Sequence, residues 1–273
     1  MGGRVDTTVS ENQRLRKELK DLHARIAALE SSRWWRLHPR FALMRLKPRR
    51  PVIERTAPTN VAAEEPPAAN GVTARFRGEV VAHGHFSEDW FTIHIPAWER
   101  VMQALDGRPS KVLELGSFEG LSSSFLLWRL PDAQLTCVDT FAGIPEYAAY
   151  GIAGSGLEQS FDHNVALVDA TRVRKLVGET HSVLPDLLAA GEEFDLVYVD
   201  ASHRAVDVMV DAALSWKLLA AGGFAIFDDY GEIPAGENAL DHPAPAIDAF
   251  LGVVAGCYEV VDRRRQLIIR KTA

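Results

Sequence analysis

The sequence predicts an α/β domain: a doubly wound, mostly parallel seven-stranded sheet with a C-terminal antiparallel hairpin, preceded by an N-terminal coiled-coil helix. Three observations predict it. From about residue 110 to 229, short β-branched and leucine-rich runs alternate with stretches of helical apolar spacing, which is the pattern of parallel strands covered by helices on both faces. Nearly every such run ends in a glycine or a carboxylate, as strands do where a sheet presents its ligand-binding rim. Ahead of this region an apolar stripe of coiled-coil period gives way to a proline-rich stretch.

In the head, Asn12, Leu15, Leu19, Leu22, Ile26 and Leu29 recur at alternating spacings of three and four, the a/d stripe of a coiled coil. With Asn12 at an a position, Glu11 faces Arg16, Glu18 faces His23 and Arg25 faces Glu30, so no like charges meet across a parallel pair. A homodimer through 11–30 is one expectation, and a single amphipathic helix is the other. In "SSRWWRLHPRFALMRLKPRRP" seven Arg/Lys between Arg33 and Arg50 interleave with Trp34, Trp35, Phe41 and Leu46. That composition suits peripheral contact with an anionic membrane face through 33–50, or tryptophans packed on a partner helix. Residues 1–50 thus form one region, 51–71 ("PVIERTAPTNVAAEEPPAANG") a linker and 72–273 the folded domain.

Within that domain, "SEDWFTIHIPAWERVMQAL" (87–105) reads as a lid or packing helix capped by Ser87. Strands follow at 111–115, 134–141, 172–178, 194–200 and 223–229, with helices after the first strand and near 157–168, 181–190 and 203–220. The closing "GCYEVVDRRRQLIIRK" reads as the hairpin. Cys137 and Cys257 sit in apolar runs, as small buried thiols do.

Charge narrows the function. Residues 1–50 carry 13 Lys/Arg against 5 Asp/Glu, and the remainder carries 17 against 32. So acidic a body would repel a phosphate backbone, which argues against nucleic acid as partner. The absence of an 18-residue apolar run and of an apolar leader leads us to expect a cytoplasmic protein.

The chemistry gathers at strand ends: Glu114 and Gly116, Asp139, Gly178 with Glu179, Asp200, and the adjacent Asp228 and Asp229. "ELGSFEG" lets backbone approach a ligand at Gly116 and Gly120, yet it lacks the glycine spacing of dinucleotide binders and the G-K-[ST] of triphosphate binders. Glu114 would repel a pyrophosphate and suit a cationic ligand, while Asp139 is placed for ribose hydroxyls. Ribose plus positive charge points to S-adenosylmethionine. The neighbouring Asp228 and Asp229 need a cation or a shared proton, and the plain alternative is a cap beside a solvated acid.

"DWFTIHIPAW" (89–98), "VLELGSFEGLSSSFLL" (112–127), "LTCVDTFAG" (135–143), "FDHNV" (161–165), "FDLVYVDASH" (194–203) and "LSWKLLAAGGFAIFDDY" (214–230) together resemble class I S-adenosylmethionine-dependent methyltransferases, which have a Rossmann-like fold. The closer likeness is to the methyltransferase type 24 group and to metal-assisted sugar and catechol O-methyltransferases. The resemblance implies that Glu114, Gly116, Ser117 and Gly120 border the methionine part of the cofactor, that Asp139 holds its ribose, and that Gly178, Glu179 and Thr180 approach the adenine. It implies that Asp200, Asp228 and Asp229 bind a divalent metal, taken as Mg2+.

Such an ion would lower the pKa of an acceptor hydroxyl, and Asp200 or His203 would take the proton. His83, His85, His94 and His163 read as surface or packing histidines, the alternative being that the "HGHFSEDWF" segment closes over an acceptor. The expectation is therefore an O-methyltransferase acting on a small-molecule or glycan acceptor. The rival readings are a metal-independent enzyme of natural-product biosynthesis and a non-catalytic scaffold.

Overall fold

The computed structural model describes residues 69–143, 152, 155–231 and 242–272. The expected coiled coil at 11–30 and basic segment at 33–50 lie outside them, as does nearly all of the expected linker. The first described helix, α1, spans Ala69–Glu79 and so begins inside the stretch read as linker through 71. Its Phe76 is fully buried among Phe125 and Trp128, which is why a stretch without obvious periodicity is helical here.

Ser87 caps no helix, contrary to expectation. A 3-10 turn at Thr92–His94 leads into α2, Ile95–Leu105, whose start carries Pro96 where a missing N–H costs nothing. Ile95, Trp98, Val101, Met102 and Leu105 form its buried face.

The sheet then builds in chain order as β1 (Ser110–Leu115), α3 (Leu121–Arg129), β2 (Ala133–Asp139), α4 (Leu157–Ala166), β3 (Val173–Val177), α5 (Thr180–Ala189), β4 (Phe194–Val199), α6 (Ala205–Leu218), β5 (Leu219–Phe227), α7 (Ala244–Val253), β6 (Tyr258–Arg263) and β7 (Leu267–Lys271). The spatial order is β3-β2-β1-β4-β5-β7-β6, parallel through β5 and antiparallel thereafter. The expected seven-stranded architecture is present, with differences at two strands. β2 stops at Asp139 rather than 141, because Phe141 turns to φ 50°. β5 starts at Leu219, where Leu219 pairs with Phe194 across a bulge, and it ends before the two aspartates.

Alternation along the strands sorts the core into two layers. Val112, Leu135, Leu196, Tyr198 and Ile226 face the side of α1 to α4, while Leu113, Val138, Val197, Ala225 and Phe227 face α5 to α7. The strand order reverses between β1 and β4, which places the carboxyl ends of both beside one crevice.

Candidate active site

Past their last strand residues, four of the five parallel strands, β1, β3, β4 and β5, keep hydrogen bonding for one more step. Gly116 N–H donates to Val138 O at 2.9 Å, Gly178 to Asp139 O at 2.9 Å, Asp200 to Leu115 O at 2.8 Å and Asp228 to Val199 O at 3.0 Å. The rim residues are therefore held by the sheet itself. Gly116 has φ 82°, and a Cβ there would lie 2.0 Å from the Asp200 carbonyl oxygen. The glycine loop and the end of β4 touch through backbone, which only glycine permits.

Two of the expected cofactor residues build this loop. Glu114 is completely buried, and its carboxylate accepts from the hydroxyls of Ser117 (2.9 Å), Ser122 (2.6 Å) and Ser123, with the Cys137 thiol at 3.4 Å. Burial raises its pKa, and the three serines pull it back. Its carboxylate thus ties β1 to the first turn of α3 instead of standing open at the rim. Asp139 accepts N–H groups of Ser117 (2.7 Å) and Phe118 (2.8 Å) on one oxygen and of Phe141 (2.6 Å) on the other. Phe118 and Phe141 both hold positive φ, 47° and 50°, so Asp139 secures two strained residues. With three of about four lone-pair positions used, the half-buried carboxylate keeps capacity for a ribose hydroxyl. Gly120, φ 78°, opens α3 against Phe161, Ser117 lies beneath it, and Gly178, Glu179 and Thr180 form the turn into α5 with Glu179 in the N-cap position.

The second cluster lies at the ends of β4 and β5. Ligand atoms of Asp200, His203 and Asp229 all lie within 4.8 Å of one another. His203 Nε2 is 3.0 Å from Asp229 Oδ2. Asp229 sits at φ 52°, a conformation that turns it off the line of β5. Burial works to raise its pKa, but the His203 contact and the nearby His242 and His94 hold it below the usual carboxylate value. Asp200 is pushed well up, by burial first and then by Asp228 and Asp229.

Asp228 has a different neighbourhood from the one its sequence position implied. Its Oδ2 accepts the Tyr198 hydroxyl at 2.5 Å, and its Oδ1 accepts Gln266 Nε2 at 3.0 Å and Asp229 N–H at 2.8 Å. Tyr198, buried to 1% exposure, also reaches Asp200 Oδ2 at 2.8 Å. Gln266 in turn accepts Trp98 Nε1 at 2.7 Å, so a polar chain runs from the core below α2 to the rim. Asp200 and Asp228 are neighbours through Tyr198, while the clustered trio is Asp200, His203 and Asp229. Asp200, His203, Asp228 and Asp229 line a shallow cleft together with Ser202, Val208, Phe227, Pro243 and Ile247.

Gln266, Tyr198 and His242 were not legible as site residues. Tyr198 is one apolar-looking position in a strand, and Gln266 belongs to the last hairpin. His242 is 7% exposed, its Nδ1 accepts Ala244 N–H at 3.2 Å at the start of α7, and its Nε2 has no hydrogen-bond partner among the described residues. Cys137 is buried and Cys257 half-buried, both as free thiols. Among the described residues no helix is long and apolar enough to cross a membrane.

Comparison with known proteins gives three results. Residues 113–230 match a protein family described as "Methyltransferase domain". The O-methyltransferase hkm8 of Aspergillus hancockii is 30% identical over 128 residues, covering 46% of this chain and 45% of hkm8. Among solved structures, the MycE methyltransferase of the mycinamycin biosynthetic pathway, in complex with Mg, SAH and mycinamycin VI, aligns at TM-score 0.52 with 16% identity. That alignment covers 77% of this chain and 55% of MycE. An O-methyltransferase from Bacillus cereus in complex with SAH aligns at TM-score 0.50 with 14% identity, over 75% of this chain and 91% of the other. This chain therefore spans about half the length of hkm8 and of MycE.

Proposed function

We propose that this chain, which carries a methyltransferase domain at residues 113–230, transfers a methyl group from S-adenosylmethionine to a hydroxyl of a small hydroxylated acceptor, assisted by a divalent cation. The observation that carries this reading is the backbone contact between Gly116 and Asp200, which joins the cofactor-type loop directly to the acid–histidine cluster. A methyl donor on the loop and a hydroxyl at the cluster would then be neighbours, as displacement requires.

The residues fit both groups. Gly116 and Gly120 hold the loop in left-handed turns packed on the Asp200 backbone and on Phe161, and beside it stands a carboxylate, Asp139, with room for a ribose hydroxyl. S-adenosylmethionine supplies an electrophilic methyl on a sulfonium. Asp200 and Asp229 would hold a divalent cation of the Mg2+ type with the hard oxygen donors it prefers, and the raised Asp200 pKa marks a place where positive charge is wanted. The ion's chemistry there is to stabilise a deprotonated acceptor oxygen. Asp228 would join it only by giving up bonds to Tyr198, Gln266 and the Asp229 N–H.

Between the two candidate bases, the geometry favours His203. Asp200 is shielded and tied to Tyr198, whereas the His203 ring is half exposed. With Asp229 accepting Nε2–H, the lone pair is on Nδ1, and Asp229 stabilises the imidazolium formed when a hydroxyl proton arrives.

The acceptor class we carry forward is a sugar or glycan precursor, supported by the sequence resemblance. A natural product of another class is the rival, supported by the fold likeness to MycE, a methyltransferase of the mycinamycin biosynthetic pathway. Contact of 33–50 with an anionic membrane and dimerisation through 11–30 belong to the same proposal, supported by the Arg/Trp interleaving and the a/d stripe. The test has two steps. Calorimetry should show S-adenosylhomocysteine binding to the chain, and labelled S-adenosylmethionine should then transfer methyl to small molecules of host-cell extract, with loss in chelator. Absence of cofactor binding would refute the reading, and full transfer in chelator would refute its metal part.

A further inference from the structure

The segment from Gly84 to His94 runs as a strap with a 3-10 turn at its end; Asp89 holds that turn through Thr92, with Arg77 of α1 beside them, while the anchors of its first half lie on other elements. Asn164 on α4 is completely buried. Its Oδ1 accepts His85 N–H at 2.6 Å, while its Nδ2 donates to His85 O at 2.9 Å and to Glu119 O at 2.7 Å. One side chain thus satisfies both backbone groups of a strap residue and one carbonyl of the glycine loop.

Glu119 completes the clasp. It is 5% exposed, with Oε2 accepting Ser87 N–H at 2.5 Å and Oε1 accepting the Ser87 hydroxyl at 2.7 Å. Both carboxylate oxygens are spent on one strap residue, in charge-assisted bonds stronger than neutral ones. Further along, Trp90 stacks on Phe118 with ring centroids 5.6 Å apart, and Phe118 is itself held at positive φ by Asp139. The strap is therefore clasped to α4 and to the cofactor-type loop at His85, Ser87 and Trp90.

Resting on the reading that this loop takes S-adenosylmethionine, we propose that Asn164 and Glu119 are positioning residues. Acting through the strap, they set Trp90 against Phe118 in step with the occupancy of the loop. The physical reason is reciprocity. The loop segment that would close on the cofactor, Ser117 to Gly120, is the same segment that supplies Glu119 O and the Glu119 carboxylate to the strap. Whatever rigidifies the loop must strengthen the strap's anchors, and the strap must return the same factor to cofactor affinity.

Hydrogen exchange of the full chain with and without S-adenosylhomocysteine tests this. The His85 and Ser87 amides report directly, because their acceptors are Asn164 and Glu119. In the wild type, saturating S-adenosylhomocysteine should slow exchange across 84–94 at least about tenfold. Asn164→Ala and Glu119→Gln should lose that ligand-dependent slowing at saturation while peptides of β1 and β4 stay protected. Each variant should weaken S-adenosylhomocysteine affinity by the factor of protection it loses. A purely structural role would change strap exchange equally with and without ligand. Equal ligand-dependent protection in the variants, or none in the wild type, would overturn the coupling. Glu119→Gln keeps the backbone carbonyl bond to Asn164 and so serves where Asn164→Ala fails to fold. Failure of the wild type to bind S-adenosylhomocysteine would sink the functional reading and this one together. Binding without strap protection would sink only this one.

Discussion

Asp211 offers the most direct quantitative check of the electrostatics of this fold. It sits on α6 at 1% exposure, and among the described residues neither carboxylate oxygen has a donor at hydrogen-bond distance. Burial lifts its pKa to about 6. Asp207 and Glu179 push in the same direction, while Thr180 and His181 stand near enough to oppose it. The ordinary value is 3.8, so the folded state holds a proton that the unfolded chain releases about two units earlier. At roughly 1.4 kcal/mol per unit, the difference amounts to about 3 kcal/mol. The sign follows from the raised folded value: this stability is fully present below about pH 4 and is lost as pH rises through about 6. Asp211→Asn removes the charge and keeps the shape, so the variant should gain on the wild type by about 3 kcal/mol between pH 4 and pH 7. Urea unfolding monitored by circular dichroism across that range measures it. A constant stability difference between the two proteins at every pH would show that Asp211 is not held in a charge-hostile site.

Three further outcomes follow from the site. Gly116→Ala should cost at least about 2 kcal/mol, from a positive φ and a Cβ placed against the Asp200 carbonyl, and should abolish S-adenosylhomocysteine binding by calorimetry; undiminished binding would contradict the close backbone contact. Tyr198→Phe should lower stability by about 1.5 to 3 kcal/mol in chelator, since two carboxylates lose their shared donor, and added Mg2+ should narrow the gap; equal melting temperatures in chelator would count against it. Asp200→Asn and Asp229→Asn should each weaken Mn2+ binding at least about tenfold, as read by electron paramagnetic resonance, and Asp228→Asn should weaken it less because its oxygens are already engaged. The reverse ranking would return Asp228 to the ligand set.

Particular residues show which parts of this molecule were legible. The runs at 111–115 and 194–200 alternate or saturate with apolar side chains over a few residues, and that pattern is local, so β1 and β4 and their place in a parallel sheet could be read directly. Because strand ends form the rim of such a sheet, Asp139, Asp200 and Asp229 could be assigned to one rim before any coordinates. Ser87 shows the opposite case. A serine followed by acids looks like a helix cap, yet its partner is Glu119, 32 residues away. Asn164 and Tyr198 were equally silent, the one because it bonds His85 across 79 residues, the other because its hydroxyl is shared between Asp200 and Asp228.

By itself, then, the sequence determined the order of strands and helices and which acids stand at the rim, since periodicity and glycine placement act over a handful of neighbours. Tertiary structure alone decided how each acid is used. Glu114 disappears under three serines, Asp228 is taken by Tyr198 and Gln266, and His203 moves into the cluster with Asp200 and Asp229. Burial and hydrogen-bond partners set the charge state of a carboxylate, and both come from segments brought together only when the sheet reverses its order between β1 and β4.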